Sequence, residues 1–309
     1  MTYTTLAEIE GLVSAAGLDL DALSLIVSEA LDEDLGGRGV LPPGSGAGLD
    51  ITSYATIPAS EQAHGAFVVR QSGTVAGLPV AGYTVASVCS AADDFELTLH
   101  ATDGDRVARG DVLITVAGNA RALLRVERVA LNLITMMSGV ATATRAWVDA
   151  LSGTNTKVRD SRKTAPGLRM LQKYAVRIGG GINHRMSLAD AALIKDNHVI
   201  AAGGVVRAFR AVRESFPDVP IEVEVTSAEQ AQQVVAAGAT EILLDNMAVS
   251  EMAAIVAKLG DQATFEASGG LTIQKATEVA QTGVNFVAVG AITHSPPALD
   301  IALDFASEN

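Results

Sequence analysis

Cysteine is all but missing from this sequence. Cys89, inside "YTVASVCSAA", is the only one, so no intrachain disulfide framework can form and a thiolate metal site lacks ligands. Its apolar setting reads as that of a small buried hydrophobe. Long hydrophobic runs are missing too. No stretch approaches the roughly 20 apolar residues that cross a bilayer, and "MTYTTLAEIEGLVSAAG" has no basic segment leading into an apolar core. A cytoplasmic protein away from membranes is the expectation. Positive charge is in deficit, 22 Lys and Arg against 35 Asp and Glu for a net charge of −13, which argues against nucleic acid or an anionic membrane surface as a partner. Lysine does not occur at all before Lys157.

What is present indicates a soluble globular chain. Its 309 residues, 49% hydrophobic and 18% charged, fit two domains or one barrel with an appendage. Residues 5 to 34 space their apolar positions as two helices, stopped by Gly36 and Gly37. "GRGVLPPGSGAGLD" follows as an expected exposed loop. Then "AFVVRQSGTVAGLPV" and "ELTLHATDGDRVARGDVLITVAGNARALL" read as strands joined by glycine turns. The stretch "DGDRVARGDVLITVAG" is similar to half of a biotinyl or lipoyl carrier, but a carrier needs an exposed Lys and this region has none. A glycine-turn β-scaffold is the reading that remains.

From "ERVALNLITMMSGVATATRAWVDALSG" the pattern changes. A long apolar helix leads into "KVRDSRK", "ALIKDNH", "IEVEV", "EILLDN", "ATFEASGG" and "FVAVGAI", short apolar runs mostly separated by Ala-rich helical stretches. This is the rhythm of a parallel α/β barrel or sheet. In such folds chemistry collects where the strands end, and the polar residues fall there. Arg162 and Lys163 close the first run, Lys195, Asp196 and Asn197 the second, Glu224 the third, Asp245 with Asn246 the fourth, and Glu266 with "SGG" the fifth. Alternation in "IEVEV" turns Glu222 and Glu224 inward, where Lys163 and Lys195 are the expected partners.

Two glycine-rich turns, "ASGGL" and "VGAITHS", precede Thr272 and Ser295, read as helix starts, and suit a phosphate cradle. Gly179 to Gly181 mark a tight loop carrying His184 and Arg185, with His184 a candidate donor to an anion. The segment from Lys157 to Lys195 holds nine of the 22 Lys and Arg residues and only two acids, Asp160 and Asp190. Placed at the barrel mouth, this block makes a cationic bowl for a ligand with several carboxylates or phosphates.

These residues also carry a family resemblance. "DSRKTAPGLRMLQKYAVRIGGGINHRMSLADAALIKDNH", then "EVEV", "ILLDN", "SGG" and "AVGAITHS", with "ALDEDLG" and "DITSYATIPA" near the N-terminus, resemble quinolinate phosphoribosyltransferase. "DSRK" stands where "DTRK" is commoner, and the loop before "DITSY" is longer than usual. The resemblance implies an N-terminal α/β sandwich domain, residues 1–129 with segment 291–309 packed on it, and an incomplete TIM-like α/β barrel, residues 130–290. It implies a homodimer with shared active sites, and magnesium accompanying the pyrophosphate of phosphoribosyl pyrophosphate. On the quinolinate side it places Arg162, His184, Arg185 and Lys195, with Arg128 reaching across from the partner. On the phosphoribosyl side it places Lys163, Lys195, Glu224, Asp245, Ser268, Gly269, Gly290 and His294, of which Lys163, Glu224 and Asp245 are the catalytic candidates and Glu224 and Asp245 the metal candidates. Two other enzymes share parts of this pattern: a phosphoribosyltransferase-like protein associated with molybdenum uptake, and a Schiff-base aldolase using Lys195.

Overall fold

The computed structural model describes residues 1–40, 48–92 and 94–306. Residues 41–47 of the expected loop, and residues 307–309 of the expected C-terminal segment, lie outside the described residues. The chain divides into two compact units. The first comprises Met1–Thr142, Pro166–Gly179 and Pro296–Asn309, the second Ala143–Ala165 and Gly180–Ser295. The expected boundary at 129/130 therefore falls inside one continuous helix, Ala120–Ala150, and the segment from Pro166 to Gly179 belongs to the first unit.

The first unit is an antiparallel sheet with helices. Its strands are β1 (Thr2–Tyr3), β2 (Gln62–Val69), β3 (Gly73–Thr74), β4 (Glu96–Leu99), β5 (Arg106–Val107) and β6 (Val112–Asn119). The main sheet runs β1, β4, β6, β2 and then the C-terminal strand Ile301–Phe305, which pairs antiparallel with β2. Strand β2 buries alternate residues, with Phe67 and Val69 fully enclosed, as period-two patterning requires of a half-buried sheet. The expected helices near the N-terminus are α1 (Leu6–Ala15) and α2 (Leu20–Asp34). Thr5 caps α1 in a box with Glu8, and Asp19 caps α2. The helix α3 (Ile51–Thr56) starts on Asp50 in the same way.

Two expectations fail in this unit. "AGLPV" is not strand: α4 spans Leu78–Cys89 and is buried almost throughout. Its start depends on a distant residue, because Asp103 accepts hydrogen bonds from the Gly77 and Leu78 amides (2.8 and 2.9 Å) and from the Tyr174 hydroxyl (2.7 Å). Burial nevertheless holds the Asp103 carboxyl above its usual range. "ARALL" is not strand either, since the helix α5 (Ala120–Ala150) begins seven residues ahead of "ERVALN".

The second unit contains six parallel strands: β7 (Lys157–Arg159), β8 (Ala192–Ile194), β9 (Ile221–Val225), β10 (Glu241–Asp245), β11 (Thr264–Ser268) and β12 (Phe286–Ala288). They stand in the order β7, β12, β11, β10, β9, β8, so successive strands are neighbours from β8 to β12, β7 and β8 form the two edges, and the sheet is an open, TIM-like barrel. Beyond β7, Ile182 makes an isolated parallel bridge with Arg159. In β9 the residues Ile221, Val223 and Val225 are buried against the helix layer. Glu222 and Glu224 share the opposite face with their register neighbours Leu193 and Leu243. That inner face continues through Glu266, paired with Leu243 and Phe286, and through Asp245, paired with Ser268.

Candidate active site

Strand ends, not strands, carry most of the site. β7 stops at Arg159, so Arg162 and Lys163 sit in the loop beyond it. Lys195 directly follows β8, and its amide donates to His198 Nδ1 (3.0 Å), opening the helix Asp196–Ala202. Glu224 and Asp245 project from β9 and β10, and Ser268 ends β11. The turn after β12 differs from expectation: Ser295 is the C-cap of the helix Ala291–His294, and Gly290 is its N-cap. Thr272 does open the short 3-10 turn Ile273–Lys275.

These ends surround a cavity of about 790 Å³. One wall carries Arg162, Lys163, His184, Arg185 and Lys195. Glu224, Asp245, Ser268, Gly269, Gly290 and His294 line the rest of the cavity, with Gly290 close against Lys163. Arg128, on α5 of the first unit, is 62% exposed with Glu127 at 3.8 Å.

Beneath the cavity lies a buried ion layer that the sequence reading assigned differently. Lys195 does approach Glu224, at 3.4 Å. Glu222, however, is met by His184 Nε2 at 2.6 Å and Arg159 at 3.7 Å. Arg159 donates to Glu266 at 2.8 Å and stacks over the Phe286 ring at 4.1 Å. Arg159 faces inward because it shares register with Ala288 of β12. Burial pushes the Glu266 carboxyl up, the charge of Glu222 pushes the same way, and Arg159 opposes both.

The loop from 180 to 190 is tied at both ends. Asp160, fully buried, accepts from the Asn183 side chain (2.7 Å) and the His184 amide (2.8 Å). Asp190 accepts from the Met186 and Ser187 amides (2.6 and 2.9 Å). Burial alone would raise the Asp190 carboxyl, but those amides outweigh it and hold it down at about 2. His184 Nδ1 accepts from the Arg185 amide (2.7 Å), which makes Nε2 the protonated nitrogen facing Glu222. Both ring nitrogens thus have protein partners in a residue that also lines the cavity.

Electrostatically the wall is poised for negative charge. Arg162 Nε is buried without a hydrogen-bond partner among the described residues, a condition that normally signals a missing acceptor. Burial, together with the neighbouring charge of Arg162, lowers the Arg185 guanidinium below its usual range. Two crowded guanidiniums gain most from a dianion between them.

Two carboxylate groups could serve a metal. Glu224 and Asp245 are half-buried oxygen donors lining the cavity, and this set suits magnesium, which takes one or two carboxylates and completes its shell with substrate phosphates and water. Ligand atoms of His184, Glu222 and Glu266 also lie within 4.8 Å of one another. Arg159 already supplies a cation to that trio, and an imidazole is a poor magnesium ligand.

Sequence reasoning missed Arg159 and Asp160 as scaffold, although both stand within the basic block. It placed Asn246 at the end of the fourth run but gave it no role, although an Asn directly after a strand-terminal Asp is a turn signal.

Fold and site define a class: an enzyme built on a parallel α/β barrel whose strand ends gather cations and glycine turns around a small polyanionic ligand. The N-terminal domain of quinolinate phosphoribosyl transferase matches residues 50–138 and its C-terminal domain matches residues 140–304. The chain belongs to the quinolinate phosphoribosyltransferase family. It is 47% identical over 93% of its length to the nicotinate-nucleotide pyrophosphorylase [carboxylating] of Mycobacterium leprae, covering 98% of that protein. A probable enzyme of the same name from Bacillus subtilis is 39% identical over 84% of the chain and 89% of its own length. Among solved structures, the nicotinate-nucleotide pyrophosphorylase of Ehrlichia chaffeensis superposes with a TM-score of 0.84 at 35% identity, over 92% of this chain and 98% of that one.

Proposed function

We propose that the chain transfers the phosphoribosyl group of phosphoribosyl pyrophosphate to quinolinate with loss of carbon dioxide, giving nicotinate mononucleotide and pyrophosphate, a step of NAD biosynthesis. The observation that carries this reading is the orphaned Arg162 Nε beside the crowded Arg185 guanidinium. That pair suits the adjacent carboxylates of quinolinate and explains why an acidic chain concentrates cations here. Lys195 adds a third cation. Arg128 of the partner subunit would complete the bowl in a homodimer with shared sites.

For the phosphates, Ser268, Gly269 and Gly290 offer backbone N–H groups and a hydroxyl, with Lys163 as the cation and His294 as a further polar group. Gly290 has an ordinary φ of −64°. Its need for glycine is one of space, since a Cβ there would come within 3.0 Å of Lys163 Cδ and 3.4 Å of His294. The stem of Lys163 thus lies across the cradle.

In the reaction the pyridine nitrogen attacks the anomeric carbon as pyrophosphate leaves. Positive charge develops on the ribose, and its stabilisation falls in this reading to Glu224 and Asp245, both of which line the cavity. Magnesium held by these two carboxylates would neutralise the departing pyrophosphate. Once the ring nitrogen is quaternary, it becomes the sink for the electron pair released when the 2-carboxylate departs as carbon dioxide. Arg162 and Arg185 contribute by orientation.

No single helix among the described residues is long and apolar enough to cross a membrane, and we place the protein in the cytoplasm. The test is formation of nicotinate mononucleotide from quinolinate, phosphoribosyl pyrophosphate and magnesium, followed chromatographically, with nicotinate replacing quinolinate in parallel. Product from quinolinate alone supports the reading; product from neither acid refutes it.

A further inference from the structure

Asn246 is one of only two non-glycine residues with positive φ among the described residues, at +53°. Asn tolerates this left-handed conformation better than most residues, and here the conformation brings three interactions together. Its amide N–H donates to Ser268 O (2.9 Å), extending the pairing of β10 and β11 one step past the last regular pair, Asp245 with Ser268. Its side-chain Nδ2 donates to Asp245 Oδ2 (3.0 Å). Its side-chain oxygen occupies the space a Cβ on Gly269 would need, and Gly269 itself has φ +93°. Asn246 and Gly269 are therefore a matched pair: the glycine turn leaves room for the amide, and the amide fills it.

In the functional reading above, the two neighbouring groups that Asn246 ties together serve different parts of one ligand. Asp245 faces the ribose and its metal in the functional reading above, and the Ser268–Gly270 turn faces a phosphate. We infer that Asn246 is a positioning residue, which aims the Asp245 carboxylate and sets its distance from the Ser268–Gly270 cradle, so that the geometry offered to phosphoribosyl pyrophosphate depends on this one side chain. The inference rests on the proposed function. In that reading quinolinate is held by the loop after β7, the loop from 180 to 190 and Lys195, and should not sense the change.

The test uses Asn246→Gly and Asn246→Asp in the full-length chain. Glycine keeps the left-handed backbone without strain and removes only the amide. Aspartate keeps the shape but replaces a donor with a second negative acceptor against Asp245. Binding of magnesium phosphoribosyl pyrophosphate and of quinolinate is measured separately by calorimetry, beside thermal melting and the separate KM values. Asn246→Gly should weaken phosphoribosyl pyrophosphate binding at least tenfold, with quinolinate affinity within twofold and the melting temperature nearly unchanged. Asn246→Asp should be worse than Asn246→Gly for the same ligand. If the wild-type chain binds phosphoribosyl pyrophosphate and Asn246→Gly binds it equally well, the inference is overturned and the functional reading stands. Equal losses for both substrates, or an Asn246→Asp variant as good as wild type, also overturn it. A wild-type chain that binds no phosphoribosyl pyrophosphate removes the functional reading, and this inference with it.

Discussion

Replacing Arg159 with Met tests the buried ion layer under the cavity. Arg159 is the only cation the structure places against both Glu222 and Glu266 among the described residues, apart from the His184 ring. Its side chain is 17% exposed, and those of Glu222 and Glu266 are 6% and 1%. At 2.8 Å the bond to Glu266 is worth about 6 kcal/mol gross at an effective dielectric of 20. Removing Arg159 also removes its own desolvation cost, so the net loss should be about 3–5 kcal/mol, the usual penalty for leaving a buried charge unpaired. Urea unfolding followed by the fluorescence of Trp147, the chain's single tryptophan and a buried residue of the second unit, reads that loss directly.

The pH dependence gives the same experiment a second edge. Glu266 is already held above its usual range by burial and by Glu222, with Arg159 opposing. Without Arg159 the opposition disappears and the folded state binds a proton at still higher pH. A carboxyl whose folded pKa exceeds its unfolded value gains stability as pH falls toward the unfolded value. The gap between variant and wild type should therefore narrow from pH 8 to pH 5.5, and adding Glu266→Gln to Arg159→Met should recover about 2 kcal/mol as the coupling of a contacting pair. A loss under about 1 kcal/mol, or a gap that widens on acidification, refutes the reasoning, because a buried uncompensated carboxylate cannot behave in either way.

Three further outcomes are expected. Arg162→Ala and Lys163→Ala should each remove most turnover, by about a hundredfold or more in kcat/KM, while urea midpoints stay near wild type, since these side chains face the cavity and not the core; steady-state kinetics on folded variants checks this. Gly290→Ala should leave stability within about 1 kcal/mol because φ is ordinary, yet displace the Lys163 stem and lower kcat/KM for phosphoribosyl pyrophosphate about tenfold; an unchanged value would mean Lys163 is not held by that contact. Arg128→Ala should impair quinolinate use, and mixing it with a Lys163→Ala partner should restore activity at one site per dimer; failure to recover counts against a shared site.

Much of the second unit was legible because its strands are short, largely buried apolar runs that end in polar residues. "IEVEV" could place Glu222 and Glu224 on the inner face from spacing alone, and the polar residues at each run's end located the cavity. What the sequence hid were interactions between residues far apart in the chain. Asp103 organises the start of α4 from 25 positions away, so a segment rich in Val, Ala and Gly looked like strand. Arg159 looked like one more cation of the ligand-facing block, because a three-residue strand is too short to show which way its side chains alternate. The left-handed turn at Asn246 depends on Gly269, in the turn that follows another strand. Ser295 was taken for a helix start, but the preceding glycine turn leads straight into a four-residue helix that ends there.

The two layers of charge explain how an acidic protein presents a cationic bowl. Carboxylates placed directly under a ring of Arg and Lys would normally quench it. Here the inner face alternates by height. At the lower level Glu222 and Glu266 are matched by Arg159 and by the Nε2–H of His184, although Glu266 Oε1 and Arg159 Nε have no hydrogen-bond partner among the described residues. At the upper level Arg162, Lys163 and Arg185 face Glu224 and Asp245, and of these carboxylates Glu224 has Lys195 at 3.4 Å while Asp245 accepts from Asn246. The lower layer thus spends its negative charge locally, and the positive field of the upper cations is directed at the cavity. This separation predicts that neutralising Glu222 alters folding and the His184–Arg185 loop more than it alters the affinity of the bowl for phosphate, whereas neutralising Glu224 does the reverse. Urea midpoints and phosphoribosyl pyrophosphate affinities of Glu222→Gln and Glu224→Gln, measured side by side, would show the two layers acting as one if both variants shifted both quantities alike.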